Sequence, residues 1–272
     1  MTRITTPAAA TTIWISHSFM EGIYQFIKRR SGIKYPSARV SRILESDVKI
    51  LIVLSSAGTV PGSDRKTGTW LEELATPYYT FQDAGAQVTL ASVAGGVAPI
   101  DPTSESAAAQ TDETRRFLAD PVARKALANT VTLASINPDD YAAVFYSGGL
   151  GPVFDLTDNV ESISILEAME RAKKPIAAVC HGLAALRRAR KANGTPLIEG
   201  RAVSGFSNSE ELAVNGPSLV PWFIEDELRR LGGRYSRAAD WKPHVVVDGN
   251  LITGQNPASS AGAAQMVLNA LK

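Results

Sequence analysis

The chain predicts an α/β fold: a mostly parallel sheet covered by helices on both faces. Three observations carry this. Short apolar, β-branched runs alternate with segments of helical spacing from Val48 to the end. The runs are apolar almost throughout, as strands buried on both faces require. No Pro/Ser-rich linker and no internal repeat divides the chain after Val48. We therefore expect an N-terminal extension over residues 1–45 and one α/β domain over residues 46–272.

The extension differs in composition. MTRITTPAAATT is a Thr/Ala tract, and Glu21 is the only acidic residue before Glu45. The aromatic and basic stretch that follows predicts a helix over Ile13–Lys28, packed on the domain or on a partner. An Arg-rich, Ser/Thr-rich, acid-poor start also describes a transit peptide, which is the alternative for this segment. No continuous apolar region follows Arg3, so it does not read as a secretory signal.

VKILIVL (48–54) predicts a buried strand, and SSAGTVPGSDRKTG the loop after it. TWLEELATPYYTFQDAG predicts a helix with Trp70, Leu71, Leu74, Tyr78 and Phe81 largely on one side, stopped by Gly85. AQVTLAS (86–92) is the next strand, and ETRRFLADPVARKALAN a helix interrupted near Pro121. DYAAVFYSGG (140–149) is a strand running into a glycine turn. A helix over Asn159–Ala172, a strand PIAAVC and a helix GLAALRRARKANG capped by Gly194 follow. SLVPWFIEDELRRLGG reads as helix ending in two glycines. HVVVDGNLITG reads as a hairpin about Asp248-Gly249-Asn250, and PASSAGAAQMVLNALK as a closing helix with Pro257 near its first turn.

Composition excludes several classes. The 272 residues are 44% hydrophobic and 20% charged with net charge +1, which gives no pull toward nucleic acid or an acidic membrane. No apolar run approaches the length of a membrane span. The single cysteine rules out an internal disulfide and suits a reducing, cytoplasmic setting. His17, His181 and His244 are scattered without metal-ligand spacing, so no metal and no cofactor are expected.

Ligands of open parallel sheets bind beyond the carboxyl ends of the strands. The loops after Leu54, Tyr146 and Val179 lie there. Ala178-Val179-Cys180-His181-Gly182 places a nucleophile type between small residues on a strand-to-helix turn. The N-terminus of the following helix is expected to lower the thiol pKa. A buried structural cysteine is the competing reading. SGGLG (147–151) offers backbone N–H groups for an oxyanion, or is a plain glycine turn. Glu72 and Glu73 lie in the helix after the first strand, where one carboxyl can exchange a proton with the thiol. Spacing leaves open which one faces inward. Asp155 and Asp158 read as caps of the next helix, and RRARK (187–191) as a basic helix end. Trp70 and Trp222 read as core or interface residues, and His244 as a strand-end histidine.

Together, KTGTWLEELATPYYTFQDAGAQVTLAS, PIDPTS, YSGGLGPVFDLTDN, IAAVCHG, SGFSNSEE and VVVDGNLITGQNPASS resemble the ThiJ/PfpI superfamily, in its glyoxalase III-like, heat-shock chaperone branch. The likeness covers nearly everything from Val48 and not the extension. It implies a flavodoxin-like three-layer sandwich with a nucleophile-elbow cysteine. It implies that Cys180 is the nucleophile with His181 beside it. It also implies that Glu73 contacts the thiol, that Glu211 orients the histidine, and that Gly149 and Leu150 supply the oxyanion amides. The branch commonly carries Gly-Gly-His-Gly where Leu150 stands, so a more apolar pocket is implied. The extra histidines of its zinc-binding members have no match. A glutamine amidotransferase fits less well, because His244 has no nearby His-x-Glu pattern. The implied activity is glutathione-independent conversion of a small 2-oxoaldehyde such as methylglyoxal to a 2-hydroxy acid, by a homodimer of the lyase class. Another cysteine hydrolase or hydratase, or a stress-related holdase, is the alternative.

Overall fold

In the first strand alternate side chains enter two different cores, which fixes a sheet at the centre of the molecule. The structure is a computed structural model and describes residues 48–272. The expected Ile13–Lys28 helix lies outside the described residues. Strand β1 (Lys49–Leu54) sends Ile50, Ile52 and Leu54 to one face, where they meet Leu74, Phe81, Val267 and Leu268. Leu51 and Val53 point to the other face, toward Leu156, Ile165, Leu166 and Met169. The first face is covered by helices α1 (Leu71–Asp83) and α8 (Ser260–Ala270). The second is covered by α5 (Val160–Arg171), capped by Asn159, whose side chain accepts from Ser162 N–H. These are the three layers expected.

The remaining strands are β2 (Gln87–Ser92), β3 (Val131–Thr132), β4 (Ala143–Tyr146), β5 (Ile176–Val179), β6 (Ala202–Val203), β7 (Arg234–Tyr235), β8 (Val245–Asp248) and β9 (Leu251–Gly254). The seven-stranded sheet runs β3-β2-β1-β4-β5-β9-β8, and only the β8–β9 hairpin pairs antiparallel. β6 and β7 form a separate two-stranded ribbon. Registers Val53↔Tyr146, Tyr146↔Ala178 and Val179↔Gly254 align the carboxyl ends of β1, β4, β5 and β9. The loops after Leu54, Tyr146 and Val179 therefore meet at one edge.

Two expected elements differ, and the helix expected to be interrupted near Pro121 is broken there into two, α2 (Asp112–Ala119) and α3 (Pro121–Ala128). Asp120 ends the first and caps the second, accepting from Val122 and Ala123 N–H. GLAALRRARKANG is not an α-helix capped by Gly194. Cys180–Arg187 is a 3-10 run, and the chain then turns so that Arg190 bridges Pro196. SLVPWFIEDELRRLGG is helical only over its second half, as α7 (Ile224–Arg230). A short 3-10 turn at Gly216–Ser218 precedes it, before Pro221 interrupts. Two short helices complete the set: α4 (Gly151–Asp155) and α6 (Asn208–Ala213). No helix of the described residues is long and apolar enough to cross a membrane.

Candidate active site

Cys180 follows β5 with φ +54°, a left-handed conformation that costs a non-glycine residue about 1–2 kcal/mol. The turn is tight on both sides. A Cβ added at Gly182 would lie 2.6 Å from the Tyr146 carbonyl oxygen. One added at Gly148 would lie 2.9 Å from the Cys180 Cβ. The small-x-Cys-x-small pattern is thus a steric requirement of three chain segments crossing at the sheet edge. The strand-to-helix elbow read from the pentapeptide is present, with a 3-10 run in place of the α-helix.

The structure places Cys180, His181, Glu73 and Glu211 together and buries all four. Cys180 Sγ lies 3.3 Å from His181 Nδ1. His181 Nε2–H donates to Glu211 Oε2 at 2.7 Å. That bond turns the lone pair of the neutral imidazole, on Nδ1, toward the sulfur. The ambiguity between the two glutamates is resolved by contact. Glu73 Oε2 accepts from Gly148 N–H at 2.7 Å, and Gly148 packs against both that oxygen and the Cys180 Cβ. Glu72 is only half-buried and has Glu113 for a neighbour. Ser147 Oγ donates to the Glu73 carbonyl at 2.8 Å, tying α1 to the loop after β4.

Electrostatics departs from expectation at the thiol. The helix N-terminus was expected to favour thiolate. Instead burial, and then the Glu73 carboxyl, push the Cys180 thiol well above its ordinary range, against the hydrogen bond from the His181 backbone. Burial likewise lifts the Glu73 carboxyl to about 7, although Cys180, Gly148 N–H and His181 favour its charged form. Burial pulls the His181 imidazole down, but the charge and hydrogen bond of Glu211, with Glu73 and Glu210 beyond, carry it above its usual value. The resting site thus holds a protonated thiol next to a base of raised affinity for its proton.

Gly149 (φ +95°) and Leu150 continue from Gly148, the residue packed against Cys180. Among the described residues neither backbone N–H has an acceptor. Gly149 admits no side chain, since a Cβ there would lie 2.3 Å from Gly68 O and 2.7 Å from Trp70 N. Leu150 is buried and joins the apolar cluster of Val153 and Leu156. Among the described residues no group of three or more His, Cys, Asp or Glu side chains is placed to hold a metal.

Asp155 and Asp158 are corrected. Asn159 caps α5, and Asp155 instead holds the loop after β1, accepting from Ser55 Oγ (2.9 Å), Ser56 N–H (2.6 Å) and Ala57 N–H (3.0 Å). Asp158 pairs with Arg188, and Arg187 with Glu227, so the first two cations of the basic run are held in ion pairs, while Lys191 donates to the Glu199 carbonyl. The sequence reading missed Phe206, Trp241 and Glu210. Phe206 lies against the His181 ring (centroids 4.5 Å apart, tilted 38°) and Trp241 meets Phe206 edge-on at 5.9 Å. The aromatic pair is far apart in sequence and leaves no local signal. Glu210 did leave one: Ser207-x-x-Glu210 is a capping box, formed in α6.

Comparisons with known proteins bear on the family and the fold. The chain is 32% identical over 236 residues to the glutathione-independent glyoxalase HSP31 of Saccharomyces cerevisiae, covering 82% of this chain and 98% of that one. The crystal structure of glyoxalase III from Candida albicans superposes with TM-score 0.75 at 27% identity, over 84% of this chain and 98% of that one. The Rapid Encystment Protein of 24 kDa from Francisella tularensis superposes with TM-score 0.79 at 35% identity, over 83% and 99%. The sequence profile of the DJ-1/PfpI family matches residues 66–270, three quarters of the length, and on that match the chain belongs to the DJ-1/PfpI family.

Proposed function

We propose that the protein is a glutathione-independent glyoxalase of the glyoxalase III type, converting 2-oxoaldehydes such as methylglyoxal to 2-hydroxy acids. The observation that carries the reading is the thiol–imidazole–carboxylate line of Cys180, His181 and Glu211, with the Glu73 carboxyl beside it on Gly148. The named activity of the yeast and Candida relatives supports it. The proposed catalytic domain is residues 46–272, and the reaction is of the lyase class.

The thiol gives its proton to His181 Nδ1 as sulfur bonds the aldehyde carbon, and the carbonyl electron pair moves to oxygen. The Gly149 and Leu150 N–H groups stabilise that oxygen until it takes the proton back from His181, completing the hemithioacetal. A base then takes the proton from the former aldehyde carbon and returns one to the neighbouring carbon through an enediol. The first carbon is oxidised to a thioester and the second reduced to an alcohol, so no external oxidant enters. Glu73, lifted to about 7, is suited to hold and release a proton at neutral pH. Water cleaves the thioester, releasing the acid and restoring the thiol. The small-molecule carbonyl is the only partner the chemistry needs, and a homodimer in the cytoplasm is the proposed state.

Purified protein is expected to form lactate from methylglyoxal without glutathione. Cys180→Ala should lower turnover to the uncatalysed level while leaving the fold intact. Wild-type protein with no turnover on methylglyoxal or glyoxal would overturn the reading. Leu150 carries a second: an apolar wall beside the oxyanion position suits another small electrophile of larger apolar substituent. Cys180-dependent hydrolysis of an amide or other small electrophile bearing such a substituent, with no turnover on methylglyoxal or glyoxal, would favour it.

A further inference from the structure

Glu210 is fully buried, and among the described residues no Lys or Arg pairs with it. A buried carboxyl in that position is costly unless its lone pairs are used. Here five hydrogen bonds use them. Oε2 accepts from Ser207 N–H (3.1 Å), Ser207 Oγ (2.8 Å) and Gln255 Nε2 (3.0 Å). Oε1 accepts from Trp241 N–H (2.7 Å) and Asn256 Nδ2 (2.8 Å). Gln255 Oε1 also accepts from Ala238 N–H, and Asn256 Nδ2 also donates to Lys242 O, each at 2.9 Å. One carboxyl thus ties together the first turn of α6, the 238–242 loop and the segment after β9.

What this knot holds lies against the imidazole. Trp241 has φ +62°, strained for an aromatic residue, and its N–H is the one bonded to Glu210. Its ring braces Phe206, and Phe206 covers His181. Glu211, the next residue along α6, holds His181 Nε2. Both contacts that orient the imidazole therefore lead back to the same buried side chain, one through the helix backbone and one through Trp241 and Phe206.

We propose that Glu210 is a positioning residue for His181, acting through Trp241 and Phe206 on the ring face and through α6 on the Glu211 bond. It touches neither substrate nor sulfur. The proposal rests on His181 acting as the proton acceptor of Cys180. The groups facing the imidazole are Cys180, Glu73, Glu211 and Glu210.

The test uses the full chain and three variants, Glu210→Gln, Trp241→Asn and Trp241→Phe. Gln offers one acceptor oxygen where two are engaged. Asn tolerates the left-handed backbone but removes the ring, and Phe keeps the ring. Two readouts need no turnover: the low-field imidazole N–H resonance of His181, and the pH profile of Cys180 alkylation by iodoacetamide. Glu210→Gln and Trp241→Asn are expected to broaden or shift the resonance and displace the alkylation profile. On methylglyoxal they should lower kcat about tenfold or more, with KM within roughly twofold. Trp241→Phe should restore wild-type behaviour. If Glu210→Gln does not fold, Trp241→Asn decides alone. Wild-type resonance and alkylation profile in Trp241→Asn would overturn the proposal. A wild-type protein inactive on 2-oxoaldehydes would overturn the assigned function instead, and the two turnover-free readouts would still decide the brace.

Discussion

At the scale of single residues, reactivity here depends on crowding. Glu211 keeps its place because Gly216 lets the chain close over it: a Cβ at Gly216 would lie 2.3 Å from both Glu211 Cγ and Oε1. Gly216→Ala should therefore push the carboxyl off His181 and lower kcat about tenfold to a hundredfold, with far-UV circular dichroism unchanged. A variant with wild-type kcat would show that the Glu211 bond is not needed. Much of this site was legible in advance. Cys180 stood out as the only cysteine, on a small-x-Cys-x-small turn, and Glu211 came through the family likeness. The choice of Glu73 over Glu72 also came through the likeness and not from spacing, because adjacent helix residues point about 100° apart and spacing alone does not say which faces the sheet edge. The thiol pKa was misjudged for a related reason. The turn advertises a helix dipole, while burial and a facing carboxyl, both tertiary, outweigh it.

At the scale of elements, the site is assembled from the ends of secondary structure rather than their interiors. Asp155, in α4, shows how. Its carboxylate gathers Ser55 Oγ and the Ser56 and Ala57 N–H groups, fixing the loop that leaves β1 beside the glycine turn. Asp155→Ala leaves Ser55 Oγ and Ser56 N–H without an acceptor, Ala57 N–H keeping Ser55 Oγ, and should cost about 2–3 kcal/mol in urea unfolding. A loss below about 0.5 kcal/mol would mean that water replaces the carboxylate. Strands were the best-read elements, since buried apolar runs bounded by turn residues have few alternatives. The helices after Cys180 and before Gly232 were over-read. Leu183, Ala184, Ala185 and Leu186 have helical spacing, but all are buried with Cys180 in a 3-10 run packed under the glycine turn. Tertiary crowding there overrides local propensity.

At the scale of the whole molecule, the buried acids set the pH range of stability. Glu227 is held down to about 2, first by the hydrogen bond from Arg230 and then by Arg187. Its contribution is present above its ordinary value of 4.5 and is lost as pH falls toward 2. Glu73 works in the opposite sense. Lifted from 4.5 to about 7, it costs nothing below pH 4.5, and stability falls as pH rises from there to 7. His181, lifted above 6.5, adds stability below that value that is lost as pH rises past its folded pKa. The thermal midpoint is thus expected to peak on the acid side of neutrality and decline toward pH 8. Glu73→Gln should flatten that decline, by up to about 3 kcal/mol at pH 8. An unchanged slope in Glu73→Gln would show that the buried carboxyl does not resist ionisation.

The sheet's two ends carry a further consequence, for life at high concentration. An open sheet invites a foreign strand to add at its margin and propagate. β3 offers only Val131 and Thr132 before the chain turns into a 3-10 helix. At the far side, Asp248 of β8 accepts from Ala202 N–H at 2.7 Å and pairs with Arg234, so the β6–β7 ribbon laps over that margin. A sheet built from strongly apolar strands therefore presents a two-residue stub at one border and a charged, lapped strand at the other, and templated growth into fibrils has little to start from.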